Sequence, residues 1–316
     1  MSTSGEIEIN SKILIVVNPI AGSLSDMDEF KAVLEDRLAK QDKTFQIYET
    51  TGKEDLAELT RKASDQGVEM VLAAGGDGTI AGVVNGLVHT NVILGILPMG
   101  TGNGLARAME IPLELSEAAD LVFGENCVVE IDAMQAGDKY FILNVGTGVS
   151  SRAMKYAKPE LKRRFGIMAY VWTILGQLFA FKPHRFKLQV DGKDYLINAT
   201  EILISNGTLL ENPPDPLGPP ETFFDSLFEV YIVRGRSIFD YLRVVWGVFT
   251  RSKNGDNKLR QITLNDRIVI ESTLGAQPVQ GDGELHGYTP VEVKVIPRAL
   301  KLIVPTRVIS EVEQSL

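Results

Sequence analysis

Over its first 126 residues the chain switches between two hydrophobic periods, and few folds accept that pattern. ILIVVNP (13–19) is a continuous apolar run closed by proline, which suits a strand buried on both faces. Met27, Phe30, Val33, Leu34 and Leu38 then recur at helical spacing, with Ser25 as a candidate N-cap and Asp28 three residues on. FQIYET reads as a second strand. Thr51 and Glu54 form a capping-box pattern for a helix carrying Leu56, Leu59 and Ala63, stopped by Gly67. MVLAA, a helix from about Thr79, VILGILP and a helix near 116–123 complete the series. Strand and helix in alternation predict a doubly wound parallel sheet, whose ligands sit at the carboxyl ends of the strands.

After about Asn126 the pattern changes. VVEIDAM, a QAGDK turn and YFILNVG read as a hairpin. RFKLQV, YLINATEILISN, LFEVYIV, DRIVIES, VEVKVI and LKLIVP alternate, carry many β-branched residues and are joined by Gly, Asp and Pro turns. The expected fold class is therefore α/β plus all-β: an N-terminal doubly wound parallel domain and a C-terminal antiparallel β-sandwich with two inserted helices. Boundaries are placed at 1–11 for a disordered lead-in, 12–126 for the α/β domain and 127–298 for the sandwich. Residues 299–316 form a C-terminal segment that returns to the first domain.

The inserted helices fall near 161–181 and 237–250. The first has an apolar stretch from Phe165 to Phe181, short of the ~20 residues a membrane span needs. Gly166, Tyr170, Thr173 and Gln177 also lay a narrow polar stripe along it. Both helices read equally as core elements and as walls of an apolar cleft. Residues 211–225 (ENPPDPLGPPETFFD) form a Pro-rich surface loop.

The 316 residues carry a net charge of −9, which argues against a nucleic-acid binder. That charge is uneven. Between Ser151 and Lys187 nine basic residues face a single acid, Glu160. This 152–187 cluster flanks the apolar helix, a pattern that suits reversible contact with an anionic membrane surface. One cysteine, Cys127, forms no internal disulfide, and MSTSGEIEINSK lacks the apolar core of a secretory signal. The reading is cytoplasmic and peripheral at the membrane, with a homodimer left open.

Four short segments carry the chemistry. Asn18-Pro19-Ile20-Ala21-Gly22-Ser23 closes the first strand, Gly75-Gly76-Asp77-Gly78-Thr79 the third, and Gly100-Thr101-Gly102-Asn103 the fourth. Gly281-Asp282-Gly283-Glu284 lies in the second domain. Glycines at a strand-to-helix turn let backbone N–H groups approach an anion, and the helix N-terminus favours negative charge. Phosphate is the guest such a turn suits. A carboxylate there repels phosphate, unless a divalent cation lies between them or the carboxylate takes a proton from an attacking hydroxyl. A bland alternative remains: a tight turn whose Asp77 caps the next helix. Neither a Walker A lysine nor a protein-kinase set is present, and His89, His184 and His286 are too scattered for a His/Cys metal site.

In this order NPIAGS, GGDGT, GTGN and GDGE resemble the diacylglycerol kinase catalytic family, which includes soluble bacterial lipid kinases, sphingosine kinases and ceramide kinases. The resemblance runs from Lys12 to about Pro305. GGDGT by itself is also similar to a turn in NAD kinases and phosphofructokinases. The family implies an α/β nucleotide-binding domain, a β-sandwich and ATP in the cleft between them. Asn18, Gly75, Gly76, Asp77, Gly78, Thr79, Gly100, Thr101 and Asn103 would then line the nucleotide. Asp282 would be the general base for a lipid hydroxyl, with Asp77 as its competitor, and Glu284 a Mg²⁺ neighbour together with Asp77. Residues 213–225 resemble a loop holding a second Mg²⁺, with Asp215 and Asp225 as ligands. Three departures stand out: Gly82 where many members have Glu, Gly104 where many have an acid, and Ser226 where Gly is usual.

The leading reading is transfer of the γ-phosphoryl group of ATP to the hydroxyl of a membrane lipid such as diacylglycerol. Two others are phosphorylation of a soluble substrate such as NAD, and a catalytically silent nucleotide- or lipid-binding regulator.

Overall fold

The computed structural model describes residues 9–21, 27–40, 43–156, 183–207, 220–235, 240, 243 and 258–308. The chain divides into two compact units, Met1–Ile131 with Arg298–Leu316, and Asp132–Pro297.

The first unit runs β1 (Ile13–Val17), α1 (Met27–Leu38), β2 (Phe45–Glu49), α2 (Leu56–Asp65), β3 (Met70–Gly75), α3 (Asp77–Leu87), β4 (Ile93–Pro98), α4 (Gly104–Ala108) and α5 (Leu115–Phe123). The strands pair in parallel in the order β2-β1-β3-β4, as strand–helix alternation predicts. Every residue of β1 is buried, so its apolar run needs no polar face. β2 lies at the sheet edge and is half exposed. Phe30, Leu34 and Leu38 of α1 pack with Ile13, Ile15, Leu72 and Leu97 in one core. Burying such a side chain stabilises the unit by roughly 1.5–3 kcal/mol.

One cap differs from the sequence expectation. α2 starts at Leu56, and its N-cap is Asp55, whose carboxylate accepts from Ala57 N and Glu58 N. Thr51 and Glu54 do bond each other, through Thr51 N and Oγ1, but within the preceding turn. The box pattern was therefore real as a local contact and one turn too early as a helix start. Gly67 ends the helix region at φ +85°, as its position predicts.

The second unit continues with β5 (Cys127–Ala136), which begins in the first, then β6 (Lys139–Phe141), β7 (Asn144–Gly148), α6 (Val149–Tyr156), β8 (His184–Val190), β9 (Lys193–Ala199) and β10 (Glu201–Ser205). A 3₁₀ turn at Pro220–Phe223 precedes β11 (Phe228–Val233), β12 (Leu259–Leu264), β13 (Arg267–Ser272), β14 (Pro278–Gly281), β15 (Glu284–Tyr288) and β16 (Val291–Val304). One layer pairs β16-β13-β8-β9 antiparallel; the other is a six-stranded sheet in the order β12-β11-β10-β7-β14-β15. Phe186 and Leu188 from the first layer share a core with Ile202, Ile204, Phe228 and Val230 from the second. This is the expected antiparallel sandwich.

Two strand boundaries moved. The stretch 193–205 splits at Thr200, so that β9 and β10 enter different layers. Conversely, the two runs of 291–304 join in one strand, which passes Arg298 at φ +48° and enters the first unit. There Lys301 and Leu302 pair in parallel with Ile93 and Leu94 of β4.

The inserted helix at 161–181, Ser25 and Asp215 lie outside the described residues, as does most of 237–250. Of that second segment Asp240 is described, ion-paired with Lys258. Among the described residues no helix is long and apolar enough to cross a membrane.

Candidate active site

In the first unit the glycine-rich turns lie at the carboxyl ends of β1, β3 and β4, where the chain passes into helices. Gly75 ends β3, and a Cβ on it would meet the Thr79 side chain at 2.6 Å. Gly76 is the N-cap of α3 in extended conformation, and its carbonyl accepts from Thr79 N and Ile80 N. The preceding N–H groups of the first helical turn therefore have no intrahelical acceptor, the condition that makes a helix N-terminus an anion site. Asn18 reaches the same turn: its Nδ2 donates to Thr79 Oγ1 at 3.4 Å, while its Oδ1 accepts from Ile20 N.

The GTGN turn is closed by its last residue. Asn103 sits in the left-handed region at φ +52°. Its Oδ1 accepts from Gly100 N at 2.9 Å and its Nδ2 donates to Gly100 O at 2.8 Å. The two turns touch backbone to backbone, since a Cβ on Gly100 would stand 2.6 Å from Gly76 Cα. Asp77 joins them. Its Oδ2 accepts from Asn103 N at 3.0 Å and its Oδ1 from Gly104 N at 2.6 Å. Gly102 must lack a side chain because a Cβ would overlap Asp77 Oδ2.

Asp77 is thus a cap, as the bland alternative held, although for α4 and not for the helix it begins. Both oxygens are engaged, so the carboxylate fixes how the GTGN turn presents its N–H groups. Thr101 and Gly78 are exposed, while Thr79 is buried.

In the second unit Asp282 occupies the turn between β14 and β15. Gly281 pairs with Glu284, so the turn has two central residues, Asp282 at φ +47° and Gly283 at φ +84°. Two positive φ values define the tight hairpin turn for which Asp-Gly is a preferred pair. The Asp282 carboxylate turns back onto the connection from β6 to β7. Oδ2 accepts from Ile142 N at 2.8 Å, and Oδ1 from Leu143 N at 2.9 Å and Asn144 N at 2.8 Å. Three N–H donors fix the plane of the carboxylate. Glu284 is exposed at the start of β15. His286, two residues on, donates Nε2–H to Ala136 O and packs edge-on against Phe141, which accounts for it as a structural residue.

Asp225, exposed by surface area although its carboxyl is partly desolvated, stands near buried Asp132 and half-buried Glu229. Its carboxyl pKa is raised, first by desolvation and then by the charges of Asp132 and Glu229. Ser226, at φ +60°, donates its N–H to Asp132 Oδ2 at 2.7 Å. Among the described residues no three His, Cys, Asp or Glu side chains close on one point. Mg²⁺ does not require that, because it binds through one or two carboxylates with phosphate and water. Asp77, Glu284 and Asp225 are each of a type that fits it.

The departure at 82 has a packing reason. A Cβ on Gly82 would stand 2.9 Å from Leu56 Cβ, and one on Gly86 would overlap Thr60 and Ala57. These glycines, four apart on α3, let α2 lie close. Sequence reasoning missed Gln280, Asn144 and Glu201. Only the Asp-Gly pair at the hairpin carried a signal, since nothing in PVQG marks its Gln as buried.

Residues 12–136 match the model of the diacylglycerol kinase catalytic domain. Residues 143–304 match that of the YegS C-terminal NAD kinase beta sandwich-like domain. The chain belongs to the diacylglycerol kinase catalytic-domain family. A diacylglycerol kinase of Bacillus subtilis is 28% identical over 308 residues, covering 92% of this chain and 95% of that protein. Another, from Staphylococcus aureus, is 26% identical over 312 residues, covering 94% and 93%. A crystal structure described as a diacylglycerol kinase from Bacillus anthracis superposes with a TM-score of 0.73 at 22% identity, over 95% of this chain and all of that one. That last likeness shows the fold. The family match also identifies the chain as a lipid kinase, the activity the ordered motifs led one to expect.

Proposed function

We propose that this lipid kinase transfers the γ-phosphoryl group of ATP to the hydroxyl of diacylglycerol or a closely related membrane lipid. The observation that carries the reading is the Asp77 brace. It ties two glycine turns at the ends of adjacent parallel strands into one surface of backbone N–H groups beside the N-terminus of α3. Such a surface is complementary to phosphate oxygens. Asn18 and Thr79 close it from the β1 side, and Thr101 and Gly78 offer exposed backbone to the ligand.

Phosphoryl transfer has a loose transition state, so positioning and charge neutralisation supply most of the acceleration. Mg²⁺, when bound, neutralises charge on the phosphate oxygens. Asp77 in the first unit and Glu284 in the second are each a candidate to hold it, and Asp225 with Asp215 are candidates for a second, structural ion. For the base we favour Asp282 over Asp77. Both carboxylates accept backbone N–H groups on both oxygens, but those of Asp77 brace the two glycine turns, whereas those of Asp282 fix its own carboxylate at a hairpin tip. A carboxylate is a weak base. It suits a step in which the lipid hydroxyl becomes acidic only as the bond to phosphorus forms.

Lipid access is assigned to the basic cluster 152–187, which would hold the enzyme on anionic headgroups from the cytoplasmic side. Of that cluster Arg152, Lys155, Arg185 and Lys187 are described; Lys155 also stands over the Tyr288 ring at 5.2 Å. The test of the base is Asp282→Asn. Turnover is expected to fall by ~10²–10⁴ with ATP affinity retained, the usual effect of losing a general base. Full turnover in this variant would return the role to Asp77.

A further inference from the structure

Gln280 is a polar residue only 3% exposed, in the strand that leads into the Asp282 turn. Both ends of its carboxamide are used. Nε2 donates to Asn144 Oδ1 at 2.8 Å, and Oε1 accepts from Gly283 N at 3.2 Å. The assignment of the amide is forced, because Gly283 N can only donate. Gln280 therefore clamps two things together: the residue after Asp282 and the side chain of Asn144. Asn144 is itself tied to Asp282 twice, its N–H donating to Oδ1 and its carbonyl accepting from Asp282 N at 3.0 Å.

These contacts form a closed loop of Gln280, Asn144, Asp282 and Gly283. A two-residue hairpin tip is ordinarily able to rock about its flanking strands. Here the carboxamide ties the tip to β7, on which the Asp282 carboxylate rests. A carboxylate offers about four acceptor directions. Ile142, Leu143 and Asn144 occupy three of them, so the plane of the carboxylate follows the backbone cradle. Whatever moves Asn144 relative to Gly283 moves the carboxylate.

We propose that Gln280 is a positioning residue for the phosphoryl-transfer step, acting through Asn144 and Gly283 to hold the Asp282 carboxylate at a fixed angle. The proposal rests on the reading of Asp282 as the base. A buried glutamine with only a structural role would, when replaced, lower stability and leave the kinetic constants of the surviving folded enzyme alone. A positioning residue lowers kcat at unchanged KM for ATP, since the nucleotide surface lies on other elements.

The experiment compares Gln280→Met, Asn144→Ala and Asp282→Asn, singly and with Gln280→Met added to Asp282→Asn. Steady-state phosphorylation of diacylglycerol in mixed micelles is measured alongside thermal melting. Gln280→Met keeps the side-chain length without hydrogen bonds, and is expected to lower kcat by ~10–100-fold with KM for ATP unchanged, the scale of a misplaced group. Asn144→Ala, which cuts the clamp from the other end at a less buried site, is expected to do the same and serves if Gln280→Met does not fold. In the Asp282→Asn background Gln280→Met is expected to cost nothing further, the non-additivity of residues acting as a unit. Wild-type kcat in both clamp variants, with Asp282→Asn inactive, overturns the positioning role alone. Full losses that add to that of Asp282→Asn overturn it as well. Wild-type kcat in Asp282→Asn removes the base assignment itself.

Discussion

Asp77 shows how one carboxylate joins two motifs that the sequence keeps more than twenty residues apart. Its hydrogen bonds run to backbone N–H groups at the start of α4, where an anion is also favoured by the helix dipole. Asn is no substitute, because one arm of its amide would point N–H at N–H. Asp77→Asn is expected to destabilise the protein by about 1.5–3 kcal/mol, the range for hydrogen bonds to charged groups. It should also raise KM for ATP more than it lowers kcat. Urea unfolding with parallel kinetics checks this; a large kcat loss at unchanged stability and KM would return Asp77 to the role of base. Gly82 poses the opposite case. Gly82→Ala would press its Cβ on Leu56 Cβ and is expected to destabilise by ~1–3 kcal/mol, the cost of overpacking. A variant as stable as the parent would refute the packing reason for the departure at 82.

At the scale of elements, α6 carries a pH dependence. Glu201 of β10 is buried, and its carboxylate accepts from Ser150 N at 3.0 Å and from Ser150 Oγ at the α6 N-terminus. Burial pushes its pKa from 4.5 up to about 7, against the opposing pull of the Ser150 and Val149 donors and of Arg152. Arg152 in turn bonds Gly148 O and His184 Nε2. The His184 pKa is lowered, by desolvation first and then by Arg152. A carboxyl whose folded pKa is raised stabilises the fold fully below about 4.5. That stability is lost as pH rises through about 7, and corresponds to about 3 kcal/mol. Glu201→Gln is therefore expected to gain stability over the parent as pH goes from 5 to 8. Chemical denaturation at several pH values reads the difference, and a constant offset would contradict it.

Elements also differ in how well the sequence showed them. β1, β3 and β4 were legible because strands buried on both faces are unbroken apolar runs. α1 was legible from Phe30, Leu34 and Leu38. The start of α2 was misplaced because Thr51 and Asp55 both suit a cap, and only the path of the chain selects Asp55. β14 and β15 escaped because Gln280, Gly281 and Gly287 break the alternation, and hairpin geometry replaces it as the cause of pairing. For the same reason Asn18, Asp77 and Asp282 stood out in the sequence as motif residues, whereas Gln280 and Asn144 did not. Their role depends on a register, Gln280 opposite Gly146, that no local pattern encodes.

At the scale of the whole molecule, chemistry and membrane contact are assigned to different features of one acidic chain. A net charge of −9 with nine basic residues gathered between 152 and 187 makes the charge strongly uneven along the chain. Attraction to anionic headgroups at ~1 kcal/mol per basic residue is expected to make vesicle binding fall steeply with salt. Sedimentation with anionic and with neutral vesicles at rising ionic strength measures it. Binding that ignores both variables would contradict electrostatic docking.

The most direct test of the central claim follows the phosphoryl group itself. The purified protein is incubated with terminally labelled ATP, Mg²⁺ and a total lipid extract, and the phases are separated. The account predicts label in a single class of newly phosphorylated lipid, abolished by Asp282→Asn. Label confined to inorganic phosphate or to a water-soluble nucleotide product would contradict it.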